Sequence, residues 1–316
     1  IGFENQAIVI NGDQINVSMI PSADALDEIV VTGYGTQTRR EVTGSIVSIG
    51  SENIEKIATG SGVDAIKGQV AGVDITSAGG RPGQPPVVRI RGRRSISASN
   101  DPLYVVDGIP VTSGGASGGI FDINPQDIQS MEILKDAAAT AVYGSRGANG
   151  VILITTKRGG VGETKVSYSG YHGVSEVTSV PRMMNGKEYA DMRFESYRQD
   201  ASGNFTYDGS LPTDPFYVFD GEQALVDNYN AGKSFDYLDA ILKQGFQSSH
   251  QISANGGSEN TRFNASVGYF KEDGVVPQMD FTRFNARLNL DNKINDIFKF
   301  GFSMTLTQST QNFGSN

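Results

Sequence analysis

Between residues 260 and 310 the chain alternates. Phe263, Ala265, Val267 and Tyr269 take every second position, with Arg262, Asn264, Ser266 and Gly268 between them. The same beat returns in Phe284, Ala286, Leu288 and Leu290 against Arg283, Asn285, Arg287 and Asn289. It returns again in Phe298, Phe300, Phe302, Met304 and Leu306 against Lys299, Gly301, Ser303 and Thr305. A period of two puts each set on its own side of a sheet. With TKVSYSGYHGVS (164–175) and SSHQISANG (248–256), these stretches predict five strands of roughly membrane-spanning length.

Such alternation fits either a soluble sandwich with one wet face or a transmembrane barrel. The connections favour the barrel. GSEN (257–260) and NKIND (292–296) are short turns, whereas the links over about 176–247 and 272–280 are longer. Alternating short and long connections match the two sides of an outer-membrane barrel. Five strands would leave two open edges in lipid, at a penalty on the order of tens of kcal/mol. The expectation is therefore a barrel that continues beyond residue 316. The stretch NGKEYADMRFESYRQ, inside the first long link, predicts a helix with Tyr189, Met192, Arg193 and Ser196 at helical spacing. It is expected to pack a loop over the barrel rim.

Upstream the pattern is different. From about 41 to 160 it mixes short strands, short helices and glycine-rich turns. VDAIKGQV predicts a short helix leading into the strand GVDIT; VVRIRG predicts a strand, and PLYVVDGIPV two strands around an Asp-Gly turn. In NPQDIQ, Asn124 is placed to cap and Pro125 to open a helix. Asp136 precedes the helix-forming run AAATAVYG, closed by Gly144, and VILITTKRG reads as a buried strand. This is a compact α+β domain. Residues 1–20 predict two short strands around Asn11-Gly12-Asp13, the end of another domain, and 21–40 form a linker with an apolar patch.

Composition narrows the chemistry. The net charge is −9, with no cysteine and two histidines, His172 and His250. An acidic chain without a basic face argues against a nucleic-acid partner. Neither a thiolate nor an imidazole-rich metal site can be assembled. Gly115-Ala116-Ser117-Gly118-Gly119 fits G-x-S-x-G but lacks the strand-to-helix elbow and a positioned histidine, so it reads as a small-residue loop. GSRGANG lacks the Lys-Ser/Thr ending of a phosphate loop. No catalytic constellation, cofactor site or metal site is expected.

Four segments carry a family resemblance: DEIVVTGYGTQ, DAIKGQVAGVDI, RIRGRRSISASNDPLYVVDGIPV and INPQDIQSMEILKDAAATAVYGSRGANGVILITTKRG. In this order and spacing, over about residues 25–160, the chain resembles the SusC/RagA-like branch of TonB-dependent outer-membrane receptors. The resemblance implies a chain that begins within the receptor's N-terminal part. Residues 1–20 would end a carboxypeptidase-regulatory-like β domain, 21–40 would link, 41–160 would be the plug, and 161–316 would open a barrel of 22 strands. Asp27, Glu28, Ile29, Val30, Val31 and Thr32 resemble the TonB box, an extended β-branched run able to add to a partner's sheet edge. Arg93-Arg94 departs from the small or hydroxyl residues usual there. With Ser95 and Asn100 it marks a candidate substrate-facing plug loop, while Arg89 and Arg91 are expected to pair with carboxylates. Implied partners are TonB, a SusD-like surface lipoprotein, outer-membrane lipid and an oligosaccharide or peptide substrate. The implied place is the outer membrane, with the N-terminal segment in the periplasm. A siderophore or vitamin receptor of the same architecture is the alternative, and a non-transporting adhesin or signalling receptor is a further one.

Overall fold

The computed structural model describes residues 29–32, 35–38, 46–77, 79–97, 99–111, 120, 123–200, 202–207, 209–295 and 297–314. The strands expected over residues 1–20 and the loop holding Ser117 lie outside the described residues. Two short strands, β1 (Ile29–Thr32) and β2 (Gly35–Thr38), pair antiparallel, with Ile29 opposite Thr38 and Thr32 opposite Gly35.

The chain divides into two compact units. The first holds the described residues up to Tyr171, with Ser248–Lys271 and Phe281–Gln311. Its centre is a five-stranded sheet made of β3 (Ile46–Gly50), β6 (Leu103–Val106), β7 (Ile109–Val111), β8 (Ile128–Leu134) and β9 (Val151–Thr156), in the order β3-β8-β9-β6-β7. Only the β6–β9 pair is parallel. The run VILITT is apolar on both sides because β9 is covered on both. Ile152 and Ile154 join Met131, Ile133 and Tyr104 in one core, while Val151 and Leu153 join Leu103, Val105 and Leu134 in the other. Continuous apolar runs belong to strands buried on two faces. The edge strand β3 pairs with β8 through Ile46 opposite Leu134 to Gly50 opposite Ser130. A separate two-stranded ribbon joins β4 (Val73–Thr76) to β5 (Val87–Ile90).

Local signals act much as the residues dictate. Ser61 accepts from the Val63 N–H and opens α2 (Gly62–Ala65), after α1 (Ser51–Glu55). Asn124 accepts from the Gln126 N–H at 3.1 Å with Pro125 next, although the turn it starts is a single 3-10 turn, Pro125–Asp127. Asp107 and Gly108 both have positive φ, at 48° and 86°. That is the mirror-image hairpin turn that matches strand twist. Asp136 does precede α3 (Ala137–Thr140), but its side chain makes no cap and instead pairs with Arg91. Gly144 ends the helical run as expected, with a non-helical φ of 58° and ψ of −145°, and a further 3-10 turn reaches Gly147 beyond the kink.

Five long strands follow: β10 (Gly162–Ser175), β11 (Gly245–Gly257), β12 (Thr261–Asp273), β13 (Met279–Lys293) and β14 (Lys299–Phe313). They form one antiparallel sheet in chain order. On β13 the burial is inverted relative to a soluble protein. Arg283 is 1% exposed and its neighbour Phe284 49%, and Asn285, Arg287 and Asn289 are buried as well. β12 buries Asn264 and Ser266 while Val267 and Tyr269 stay exposed. A soluble sandwich buries its apolar face; β11, β12 and β13 bury a mainly polar one, as a membrane barrel wall does, while β10 and β14 are exposed along nearly their whole length. No helix among the described residues is long and apolar enough to cross a membrane.

The second unit comprises His172–Gln247, Glu272–Asp280 and the residues from Asn312. It carries α4 (Gly186–Ser196), α5 (Pro215–Val218), α6 (Gln223–Asn230) and α7 (Tyr237–Ile241). Asn185 and Glu188 form a reciprocal cap at the start of α4. Ala190 is buried against Phe219 and Val226, with Phe194 packed beside them, whereas Tyr189 and Met192 are exposed.

Candidate functional site

The inverted wall meets the small-sheet domain through polar groups, and the meeting centres on Arg287. Its Nη2 donates to Asp107 Oδ2 and to Thr156 Oγ1, both at 2.7 Å, and its Nη1 donates to Thr305 Oγ1 at 2.9 Å. Thr156 donates to the same carboxylate, from its N–H to Oδ1 at 2.9 Å and from its hydroxyl to Oδ2 at 2.6 Å. The left-handed turn at Asp107-Gly108 delivers the carboxylate to this point. Both partners are nearly buried, at 5% and 10% side-chain exposure. A charge so placed is tolerated only when paired and hydrogen-bonded.

Further ties continue along the wall. Gln251 Nε2 donates to Asp127 Oδ1 at 2.7 Å, Asn289 Nδ2 to the Lys157 carbonyl at 2.8 Å, and Arg158 Nη1 to Asp291 Oδ1 at 2.9 Å. Burial raises the pKa of Asp127 above the ordinary carboxylate value, against the lowering pull of Ser266, Gln251, Arg287 and Lys157. Two acceptors in this layer, Gln251 Oε1 and Asn285 Oδ1, meet no donor among the described residues. A second kind of contact lies nearer the start of the domain. Arg283 Nη1 donates to the Gly60 carbonyl at 2.8 Å while its guanidinium lies 5.4 Å from the Phe270 ring centre, and Gln311 Nε2 donates to the Pro82 carbonyl at 2.6 Å.

The residues singled out from sequence fall elsewhere. Ile29, Val30, Val31 and Thr32 are extended in β1, while Asp27 and Glu28 lie outside the described residues. Arg94, Ser95 and Asn100 come together, but in a loop that closes on itself. Asn100 Oδ1 accepts from the Arg94 and Ser95 N–H groups at 2.7 and 2.9 Å, and its Nδ2 donates to the Ser95 carbonyl at 2.8 Å. The Arg94 guanidinium donates to the Ala148 carbonyl, and Arg93 is exposed. Among the described residues no group of three or more His, Asp or Glu is placed to hold a metal ion. The wall residues Gln251, Arg283, Arg287 and Asn289, with their partners Asp107 and Asp127, were not singled out. Their signal was the polar half of each alternating strand.

Comparison with known proteins fits this geometry. Residues 38–151 match the TonB-dependent Receptor Plug Domain family. The TonB-dependent receptor SusC of Bacteroides thetaiotaomicron is 36% identical over 92% of this chain and 27% of its own length. The TonB-dependent receptor P3 of Formosa agariphila is 37% identical over 98% of this chain and 28% of its own. Among solved structures, the RagAB peptide importer in its open-open state superposes with a TM-score of 0.71 at 31% identity, covering 90% of this chain and 32% of that one. The chain thus spans less than a third of the length of these relatives. A plug-family domain tied by polar groups to the buried face of an inverted antiparallel wall places the chain in the SusC/RagA-like branch of the TonB-dependent receptors.

Proposed function

We propose that the receptor carrying this chain imports a bulky nutrient, an oligosaccharide or a peptide, across the outer membrane, with residues 41–160 closing the barrel lumen until TonB pulls. The observation that carries the proposal is the buried polar face of β12 and β13. A wall lined by Asn264, Ser266, Arg283, Asn285, Arg287 and Asn289 suits a lumen that holds a plug at rest and water or substrate afterwards. The substrate class rests on the similarity to SusC and to a peptide importer. A SusD-like surface lipoprotein is the partner that this branch implies. The long connection carrying α4–α7 would lie outside the cell.

The outer membrane has no energy source of its own, so work must arrive mechanically. Asp27–Thr32 is the proposed handle. Ile29–Thr32 is already extended and so suited to strand addition. Each backbone hydrogen bond contributes only about 0.5–1.5 kcal/mol net, so a handful forms a grip that can be made and released. Tension along the linker would reach β3 first. As an edge strand bonded on one side to β8, it would unpair residue by residue from Ile46.

Deleting residues 27–32 in the intact receptor should abolish uptake of its nutrient while leaving surface binding unchanged. Both are read with labelled substrate on whole cells. Uptake at the wild-type rate would refute the coupling role.

A further inference from the structure

Two wall phenylalanines sit where two plug glycines leave room for them. A Cβ built on Gly60 would stand 2.5 Å from Phe270 Cζ and 2.7 Å from its Cε1; one on Gly83 would stand 2.2 Å from Phe281 Cδ2. Real side chains do not approach so closely, so both rings occupy the volume that any larger residue would need. Phe270 and Phe281 are themselves buried, with ring centres 6.1 Å apart. Arg283 binds the Gly60 carbonyl from above Phe270, and Gln311 binds the carbonyl next to Gly83.

Hydrogen bonds to the wall occur along the whole plug, and Gly159 packs closely on the Phe263 backbone, but ring contacts and ion pairs fall in different stretches. Ring contacts hold residues 60 and 83, ahead of β6. The Arg287 ion pair and the other polar ties hold residues 107, 127 and 156–158. Their distance laws differ. A close-packed contact forfeits about a quarter to a half of its attraction once a gap of roughly 0.5–1 Å opens. The attraction of an ion pair declines only as the inverse of distance. We infer that Gly60 and Gly83, with Phe270, Phe281 and Arg283, form a release latch. It seals the first half of the plug against the wall at rest and lets go over a short displacement, while the Arg287 cluster retains the second half. This rests on the reading of residues 41–160 as the lumen plug.

Gly60 offers the clean test, because its φ is not in the left-handed region and the three atoms nearest to an added methyl all belong to the Phe270 ring. Leucine at position 270 lacks the ring tip that the new methyl would strike. The intact receptor is reconstituted in planar bilayers without nutrient or TonB, and ion conductance is read against a plug-deleted receptor. Gly60→Ala should raise conductance about ten-fold, and Gly60→Ala with Phe270→Leu should bring it back to within about two-fold of wild type. A Gly60→Ala receptor as tight as wild type, or a double variant as leaky as the single, would overturn the latch. Should Gly60→Ala fail to assemble, as judged by the heat-modifiable mobility of the barrel, Phe270→Leu should restore assembly; failure to restore it counts against the latch equally. A plug-deleted receptor that conducts no better than wild type would sink the lumen reading itself, and the latch with it. A conducting deletion with an unresponsive Gly60 pair sinks the latch alone.

Discussion

At the scale of single residues, Asp127 shows how the plug's contact with the wall becomes dependent on pH. It is buried, accepts from Gln251, and faces the charges of Arg287 and Lys157, yet desolvation still dominates and raises its pKa. The unfolded reference is 3.8. A carboxyl whose folded pKa lies above its unfolded one binds protons more readily in the folded state. Its stabilising contribution is complete below 3.8 and is lost as pH rises through the folded value. Acidification from neutrality should therefore strengthen plug seating through this residue. Asp127→Asn keeps an oxygen for Gln251 and removes the titration. Plug unfolding by urea, followed by proteolysis in the reconstituted receptor between neutral pH and about pH 4, should show a gain for wild type and a flatter profile for the variant. Equal slopes would assign the pH response to other groups.

At the scale of elements, the Arg287 cluster joins β13 and β14 of the wall to β9 and the β6–β7 turn of the plug. Removing one member of a buried pair costs about 3–5 kcal/mol, because the other charge stays behind. Arg287→Met should lower plug stability by about that much, and adding Asp107→Asn should recover a good part by removing the stranded charge. Asn suits the substitution, since it tolerates the left-handed backbone of position 107. Urea titrations of the single and double variants decide it; a double variant no better than the single would show that the geometry, not the charge, holds the turn. This cluster also marks what the sequence could and could not disclose. Alternation along Arg283–Leu290 predicts a strand with one polar face, and the Asp-Gly dipeptide predicts the hairpin. Neither says that the polar face is the buried one, nor that Arg287 reaches a carboxylate 180 positions earlier. Pairing at that separation is set by how the sheets stack, which leaves no local periodicity. The self-bonded loop at Arg94, Ser95 and Asn100 is the opposite case. Its residues were visible as a group, but the use of Asn100's amide on its own backbone depends on a turn geometry that residue types alone do not fix.

At the scale of the whole molecule, the order of the plug sheet determines where the proposed TonB pull would be felt. β3 lies at one edge, bonded only to β8, while β9 is central and β6 and β7 end at the Asp107 turn that Arg287 holds. On the proposed coupling, a force entering from the linker would meet an edge strand, bonded on one side only, before any wall-anchored element. Separating five residue pairs one after another needs far less force than breaking them together, since each step costs only about one net hydrogen bond. Covalent closure of that edge should therefore stop transport without touching the substrate. Val47 and Ile133 are register partners, so Val47→Cys with Ile133→Cys gives a reducible lock across β3 and β8. In cells the oxidised variant should bind nutrient normally and lose uptake, with recovery on adding a membrane-permeant reductant. Uptake that continues with the bridge shown intact by non-reducing electrophoresis would mean that the plug leaves without unpairing β3. The tension would then have to be relieved between the wall and the plug as one body, through the Arg287 cluster, and the Arg287→Met receptor should then import faster than wild type at equal TonB.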